Sequence, residues 1–180
     1  RVGFSLEGQG QYTLISQLVA DYFAVEPDAV QVVQLDTQSA PPSFGPGGSR
    51  LGVAITGAVL GACEKIREKM SRVVSVVMQC EAENIEYCDG QFSVKGVASA
   101  SMTVPEVAGI MLARSDLLPP DVDPAPVATH VWTAAGRTTP DEEGRAKSYL
   151  TAAHAVHIVQ LEIDRETGMV EIQRYCLADD

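Results

Sequence analysis

The sequence lacks the features that would place it in a membrane or on nucleic acid. Its 180 residues contain no apolar run near the roughly 18–20 residues that a membrane-spanning helix needs, and no secretory signal pattern. Only 13 lysines and arginines stand against 24 acidic residues, and the formal net charge is −11. Such a surface repels phosphate backbones and anionic lipid surfaces. We therefore expect neither a nucleic-acid partner nor a membrane partner.

Cysteine is scarce, and its spacing argues against the usual metal sites. No Cys-x-x-Cys pair occurs, and no cysteine stands at ligand spacing from a histidine, which disfavours zinc and iron–sulfur sites within this chain. We expect free, buried thiols, no metal ligands, and a reducing, cytoplasmic location. The four cysteines are Cys63, Cys80, Cys88 and Cys176.

Several enzyme signatures are missing as well. There is no Gly-Lys-Ser/Thr sequence of the Walker type, and Gly8-x-Gly10 lacks the third glycine of a dinucleotide-binding fingerprint. No serine stands in a Gly-x-Ser-x-Gly context, so a hydrolase triad has no support. The sequence by itself therefore assigns no catalytic residue.

Three stretches show the three- and four-residue apolar spacing of helices. The first runs to about Phe23, and the second has Ser49 as its N-cap and ends near Met78. Thr103-Val104-Pro105-Glu106 is a capping box that opens a third, short helix to about Arg114. The first half of the second helix is thin, so we expect another backbone to approach closely there. Its small residues are Gly57, Ala58, Gly61 and Ala62.

Alternating or β-branched stretches predict strands. Residues 30–35 and 127–133 fit short strands, and two apolar pairs flank the turn Asp89-Gly90 as in a β-hairpin. Residues 152–163 and 169–176 fit two long strands around a turn. We predict an α+β fold in which three helices pack on one face of a mixed β-sheet, with a C-terminal β-hairpin.

The length suits one domain of ordinary size or two small lobes. We predict a single domain, residues 1–180, in which three parts differ in composition. Residues 1–115 form a helix-rich part that carries the glycine loops. Residues 116–150 form an acidic, proline-rich connection with one short strand, and residues 151–180 form the hairpin.

Two glycine-containing loops each open a helix, at Gly8 to Thr13 and at Gly45 to Arg50. The unpaired N–H groups and the dipole of a helix N-terminus favour anions, and glycine lets a ligand approach the backbone. This pattern alone favours two helix-capping loops without a ligand. The amides of Gln9 and Gln11 add donors and acceptors, which suit the edge of a pterin-like heterocycle.

Several motifs occur in a fixed order along most of the chain. They are Glu7-Gly8-Gln9-Gly10-Gln11-x-Thr13, Gln17-x-x-Ala20-Asp21, Asp36-Thr37, Gly47-Gly48-Ser49-Arg50, and Glu162-Ile163-Asp164-x-x-Thr167-Gly168-x-Val170 before a terminal Asp179-Asp180. This order resembles the molybdenum hydroxylase family, which includes xanthine dehydrogenase, aldehyde oxidoreductase and aerobic carbon monoxide dehydrogenase. The spacing is similar to that of the second molybdopterin-binding domain of the large subunit.

The resemblance implies a bound molybdopterin, in its cytosine dinucleotide form. Both loops would touch one cofactor, so we expect them at the same end of the domain. Glu7 departs from the family pattern, because it adds a negative charge close to an anionic cofactor. The implied cofactor-binding residues are Gly8, Gln9, Gly10, Gln11, Gly47, Gly48, Ser49 and Arg50.

The resemblance also implies an oxidoreductase that hydroxylates an aldehyde, an N-heterocycle or a similar small-molecule substrate. Its partners would be flanking domains of the large subunit and iron–sulfur clusters and FAD on other subunits or domains. The family's active-site glutamate would lie beyond Asp180, so we expect the chain alone to be inactive and to hold no molybdenum. A rival hypothesis is a non-catalytic binding or assembly module that keeps the scaffold without the cofactor.

Overall fold

The computed structural model describes most of the chain as helices, strands and their connections. It describes residues 1–4, 7–34, 36, 38, 43, 45, 47–133, 140–146 and 152–179, without the side chains of residues 98 and 99. The chain divides into two units, Arg1–Thr133 and Ala134–Asp180. The elements are α1 (Gln11–Phe23), α2 (Leu51–Val77), β1 (Ile85–Cys88), β2 (Gln91–Val94), β3 (Val97–Thr103), α3 (Val104–Ala113), β4 (Ala155–Ile163) and β5 (Val170–Asp179).

The predicted α+β class and the C-terminal hairpin are confirmed. Strands β1, β2 and β3 form one antiparallel sheet in that order, and β4 pairs with β5 in a separate antiparallel ribbon. Parallel pairing, which the expected mixed sheet requires, occurs in the described residues only as a single bridge between Val2 and Gln34. The strand expected at residues 30–35 is reduced to that bridge, and Leu35 lies outside the described residues.

The core of the first unit lies between the second half of α2, the small sheet and α3. Phe92, Val73, Val74, Val107 and Met111 are completely buried in it. The turn between β1 and β2 has positive φ at Asp89 (47°) and Gly90 (73°), the geometry that a two-residue hairpin loop favours. The predicted hairpin is therefore confirmed.

Helix α3 begins at the capping box that the sequence predicts. The Thr103 N–H donates to the Glu106 carboxylate at 2.8 Å, and the Glu106 N–H donates to the Thr103 hydroxyl at 3.4 Å. These two bonds satisfy backbone donors that the first turn of a helix leaves free. The Thr103 hydroxyl also donates to the Glu106 carboxylate at 2.8 Å. Because the carboxylate accepts from both the backbone N–H and the hydroxyl of Thr103, the pKa of Glu106 is lowered.

A small polar cluster joins α1 to α2. The Tyr22 hydroxyl donates to the Glu64 carboxylate, which also accepts from Arg67, and the Tyr87 hydroxyl donates to the Tyr22 carbonyl at 2.8 Å. The hydrogen bonds from Arg67 and then Tyr22 lower the pKa of Glu64. Burial, followed by the bond to Glu64, raises the pKa of the Tyr22 hydroxyl. The cluster therefore fixes how α1 packs on α2.

Tyr22→Phe should lower the free energy of unfolding by about 1 kcal/mol, since it removes one hydrogen bond to a charged, half-buried acceptor. The lowered pKa of Glu64 means that its contribution is present above the ordinary carboxyl range and is lost as the pH falls through the lowered value. The difference between the two proteins should therefore shrink in acid. Urea unfolding at neutral and acidic pH measures both effects.

Tyr12→Phe is the control, because Tyr12 lies on the same helix and is 48% exposed. Its free energy of unfolding should stay within about 0.5 kcal/mol of the wild-type value at both pH values. An equal effect of the two substitutions would contradict the role given to the polar cluster.

Residues 123–132 of the acidic connection lie along α2, and residues 127–133 form no strand, so the strand predicted there is wrong. The backbone carbonyls of the connection accept hydrogen bonds from lysine ammonium groups of α2. These bonds take the place of the backbone hydrogen bonds that a strand would make to a neighbouring strand. An ammonium group has three donors, and Lys69 uses all three. The bonds join Lys69 to Asp123, Ala125 and Val127 at 2.8, 3.2 and 2.9 Å, and Lys65 to Thr129 at 2.9 Å.

The same connection fills the thin side of α2. A Cβ atom on Gly57 would lie 2.3 Å from the Trp132 ring, and one on Gly61 would lie 2.4 Å from the His130 ring. The close approach that the small residues of α2 predict is therefore confirmed, although aromatic side chains and not a backbone make it.

The C-terminal ribbon is exposed along its whole length. Every residue of β4 and β5 is exposed, and Asp164 closes the turn between them by accepting from the N–H groups of Glu166 and Thr167 at 2.8 and 2.9 Å. A two-stranded hairpin is at best marginally stable in water without further packing. Within the described residues, no helix has both the length and the apolar character that crossing a bilayer requires.

All four cysteines are free, as predicted, but they are not all buried. Cys63 is buried, Cys80 is half-buried, and Cys88 and Cys176 are exposed. Burial raises the pKa of the Cys63 thiol to about 11. The expectation of buried thiols is therefore wrong for the two exposed cysteines, at the end of β1 and in β5, where the described residues leave the side chain open to solvent.

Candidate functional site

The first glycine loop places a left-handed residue directly before α1. Gly8 has a φ of 98°, and Gly10, the N-cap, has a φ of 81°. A glycine N-cap has no side chain to bond the first turn, and the helical bonding begins with the N–H of Leu14, which donates to the Gly10 carbonyl at 3.1 Å. The N–H groups before Leu14 have no acceptor within the helix, so they are available to a ligand.

Three polar side chains of this loop form a small network. The Gln9 Oε1 atom accepts from the backbone N–H of Glu7 at 3.2 Å and from the Nε2 atom of Gln11 at 3.0 Å. Gln9 Nε2 donates to the Glu7 carboxylate at 3.5 Å. Gln11 is only 7% exposed, and its Oε1 atom is buried without a hydrogen-bond partner among the described residues.

The second glycine loop also ends in left-handed residues. Gly48 has a φ of 63° and Ser49 a φ of 51°, and the N-cap of α2 is Arg50, which makes no side-chain capping bond. The prediction that Ser49 caps α2 is therefore wrong. An N-cap that bonds the first turn typically has an extended backbone, and the left-handed turn at Ser49 delays the helix by one residue.

The two loops share one local geometry. Each helix follows a left-handed residue that is succeeded by a right-handed one, Gly10 then Gln11 and Ser49 then Arg50. Successive backbone N–H groups in such a turn form a concave, anion-binding surface. A Cβ atom placed on Gly8, Gly10, Gly47 or Gly48 would meet no atom of the described residues within 4 Å, so those residues leave the space above both loops open.

The eight predicted cofactor-binding residues thus form two continuous turns, one at Gly8–Gln11 and one at Gly47–Arg50. The sequence treats Gln9 and Gln11 as separate ligand groups, whereas the structure couples them and adds Glu7. Alternating polar residues in a glycine turn are the sequence signal for that coupling. Of the other motif residues, Asp36 accepts from the Gln38 N–H at 2.9 Å, and Thr37 lies outside the described residues.

Other features of the described residues offer no competing site. No group of three metal-ligating side chains occurs among them. His157 Nδ1 lies 2.7 Å from the Tyr175 hydroxyl on the ribbon, and pairs there rather than with another histidine. A shallow, open depression on α3 and β3 includes Ser101, Glu106 and Arg114, but no residue of either glycine loop.

The whole chain matches a known family of protein domains. The family described as the molybdopterin cofactor-binding domain matches residues 1–180. Among curated proteins, the gamma subunit of the 6-hydroxypseudooxynicotine dehydrogenase complex of Paenarthrobacter nicotinovorans is 30% identical over 181 residues, which cover 97% of this chain and 20% of that protein. The carbon monoxide dehydrogenase large chain of Hydrogenophaga pseudoflava is 24% identical over 180 residues, which are 100% of this chain and 20% of that one.

Solved structures share the fold. Cu,Mo-CO dehydrogenase matches with a TM-score of 0.72 and 22% identity, over 98% of this chain and 20% of that chain. Quinoline 2-oxidoreductase from Pseudomonas putida 86 matches with a TM-score of 0.70 and 24% identity, over 98% of this chain and 21% of that chain. The chain spans about a fifth of the length of the relatives that it matches.

Proposed function

Because this chain belongs to the family of molybdopterin cofactor-binding domains, we propose that its two glycine loops together hold the cofactor of a molybdenum-dependent oxidoreductase. The observation that carries the proposal is that α1 and α2 begin in the same way. Each helix has an N-terminus without a side-chain cap, and the described residues leave the space above it open. Such N-termini attract anionic groups, which a pterin cofactor carries in its phosphate.

The direction of the chain supports a common location for the two loops. The Val2 N–H donates to the Val33 carbonyl at 3.0 Å within the parallel bridge between Val2 and Gln34. Two parallel segments leave their pairing in the same direction, and each of these leads into a glycine loop and then a helix. In open sheets, ligands bind beyond the carboxyl ends of parallel strands. The bridge therefore favours both loops at one end.

Helix packing supports the same arrangement. The Tyr22 hydroxyl of α1 donates to the Glu64 carboxylate of α2. At a rise of about 1.5 Å per residue, Tyr22 lies about 17 Å from the start of α1, and Glu64 lies about 20 Å from the start of α2. The core around the second half of α2 contains no described residue of α1. Buried Ile15 and buried Ile55 instead lie near the two helix starts. Parallel packing of the helices would bring the two N-termini together.

The polar groups of the first loop fit a pterin ring. Gln9 Nε2 and the free N–H groups of α1 are donors, and the buried, unpartnered Gln11 Oε1 is an acceptor. A pterin edge alternates acceptors and donors, so it can satisfy both kinds of group. The open space above Gly8 and Gly10 admits a planar ring against the backbone.

The residues of this chain would bind and orient the cofactor. When bound, the molybdenum supplies the redox chemistry, and the protein supplies position and electrostatics. The Gly8–Gln11 turn would hold the pterin end through amide groups. The Gly47–Arg50 turn would hold an anionic group further along, through backbone N–H groups, the Ser49 hydroxyl and the Arg50 guanidinium.

We extend the proposal to the protein that carries this chain. It would be the large subunit of a hydroxylase acting on an aldehyde, an N-heterocycle or a similar small molecule, with its active-site glutamate outside residues 1–180. The cofactor would be the cytosine dinucleotide form, and iron–sulfur and FAD subunits or domains would carry electrons away. Support comes from relatives named as a carbon monoxide dehydrogenase large chain, a gamma subunit of a dehydrogenase complex and a molybdenum-binding subunit of an aldehyde oxidoreductase.

Gln9→Ala in the large subunit should weaken cofactor retention more than folding. Losing one amide bond to a buried ligand costs roughly 1–3 kcal/mol, which is about one to two powers of ten in affinity. Pterin content after purification, measured by the fluorescence of the oxidised pterin, gives the retention. The melting temperature of the cofactor-free protein gives the folding effect.

Gln31→Ala is the matched control, because Gln31 is exposed and belongs to neither loop. It should retain the wild-type pterin content. A wild-type large subunit that never contains pterin would support the non-catalytic module instead. Equal retention in the Gln9→Ala and Gln31→Ala variants would remove Gln9 from the site.

A further inference from the structure

One backbone N–H fixes the orientation of both glutamine amides in the first loop. The Glu7 N–H can only donate, so the Gln9 atom 3.2 Å away must be the oxygen, Oε1. The Gln11 atom 3.0 Å from that oxygen must then be the donor, Nε2. The remaining atom of the Gln11 amide is the buried Oε1 without a partner.

This arrangement leaves Gln9 with only donors to offer. A carbonyl-type oxygen has two lone pairs, and Gln9 Oε1 already receives two donors within the loop. Its Nε2 has two hydrogens and only one long contact, 3.5 Å to the Glu7 carboxylate. The exposed Gln9 amide therefore presents N–H groups, next to the free N–H groups of the first turn of α1.

The Gln11 side chain does not stabilise the fold in an obvious way. It is 7% exposed, yet its Oε1 atom has no partner, and a buried acceptor without a partner is destabilising. An apolar side chain of similar length would fill the same volume without that cost. The benefit of a glutamine at this position therefore comes from its Nε2 bond to Gln9 or from contacts with the ligand itself.

We propose that Gln11 is the positioning residue of this site: it holds the Gln9 amide so that the loop offers donors to acceptor atoms of the ligand. The inference rests on the proposed cofactor site and deepens it. The ligand atoms that the Gln9 amide recognises are acceptors, such as ring nitrogens and oxygens, and not N–H groups. Without Gln11, the 3.2 Å bond from the Glu7 N–H is the one contact within the described residues that holds the Gln9 oxygen, so the amide rotates more freely and presents that oxygen, which repels those acceptors.

The test compares Gln11→Met with Gln17→Met in the large subunit. Both residues lie on α1, and Gln17 is exposed, so the second variant controls for the substitution itself. We expect Gln11→Met to raise the rate of pterin loss about three- to tenfold, the worth of one hydrogen bond. The melting temperature of the cofactor-free protein should stay level or rise, because the unpartnered oxygen is gone.

A double-substitution experiment separates positioning from a structural role. If Gln11 acts through Gln9, Gln11→Met should add nothing to the pterin loss of the Gln9→Ala variant. An equal fold-change in both backgrounds, or a lower melting temperature of the cofactor-free protein, would overturn the proposal. A wild-type rate of pterin loss in Gln11→Met would overturn it too. A wild-type large subunit without pterin would instead overturn the cofactor site on which it rests.

Discussion

Gly61→Val should lower the free energy of unfolding by up to about 3 kcal/mol. The new Cβ atom would lie 2.4 Å from the His130 ring, so either the ring or the segment after Asp123 has to move away from α2. Gly57→Val should act in the same way against Trp132, at 2.3 Å. Trp132 is the single tryptophan of the chain, so its fluorescence in urea unfolding reports on the contact directly.

Gly109→Ala is the control for these helix substitutions. Gly109 lies within α3, it is exposed, and a Cβ atom there meets nothing within 4 Å. Alanine is the better helix former by about 1 kcal/mol, so this variant should be more stable than the wild type. A stabilisation of similar size at Gly61 would show that the connection does not pack on α2 as described.

Gly10→Val should remove most of the cofactor from the large subunit, with a loss of affinity above about tenfold. Gly10 has a φ of 81°, and its open side faces the space where the proposed ligand would approach. A valine there adds left-handed backbone strain of about 1–2 kcal/mol and fills that space with a branched side chain. Pterin content and the melting temperature of the cofactor-free protein should both fall.

Gly96→Val separates the two effects. Gly96 has a φ of 76°, and a Cβ atom there also meets nothing within 4 Å, but it lies in the turn between β2 and β3. Its backbone strain should match that of Gly10→Val, while its pterin content should stay at the wild-type level per folded protein. Equal pterin loss in the two variants would mean that strain, and not the site, explains the result.

Local patterns in the sequence predict most of the fold, because they depend on neighbouring residues. The capping box at Thr103 depends on hydrogen bonds between residues three positions apart, and the turn at Asp89-Gly90 depends on the backbone angles of those two residues. Both occur as predicted. The strand predicted at residues 127–133 fails for a non-local reason. Lysines some sixty positions earlier in the chain, Lys65 and Lys69, bind its carbonyls.

The same distinction between local and non-local causes applies to the candidate site. Glycines in a turn that opens a helix indicate where backbone N–H groups are free, and the structure has both turns. The sequence does not indicate that Arg50, and not Ser49, is the N-cap of α2, because two successive left-handed residues are a property of the folded turn. Nor does it indicate which atoms of Gln9 and Gln11 face each other, since this depends on the Glu7 N–H.

Hydrogen–deuterium exchange of the large subunit, with and without its cofactor, tests the central claim most directly. If one cofactor binds both glycine loops, amides in peptides covering residues 8–13 and 47–52 should both exchange more slowly in the loaded protein. The turn at Asp89-Gly90 should exchange equally in both states. Protection confined to one loop, or absent from both, would contradict the account.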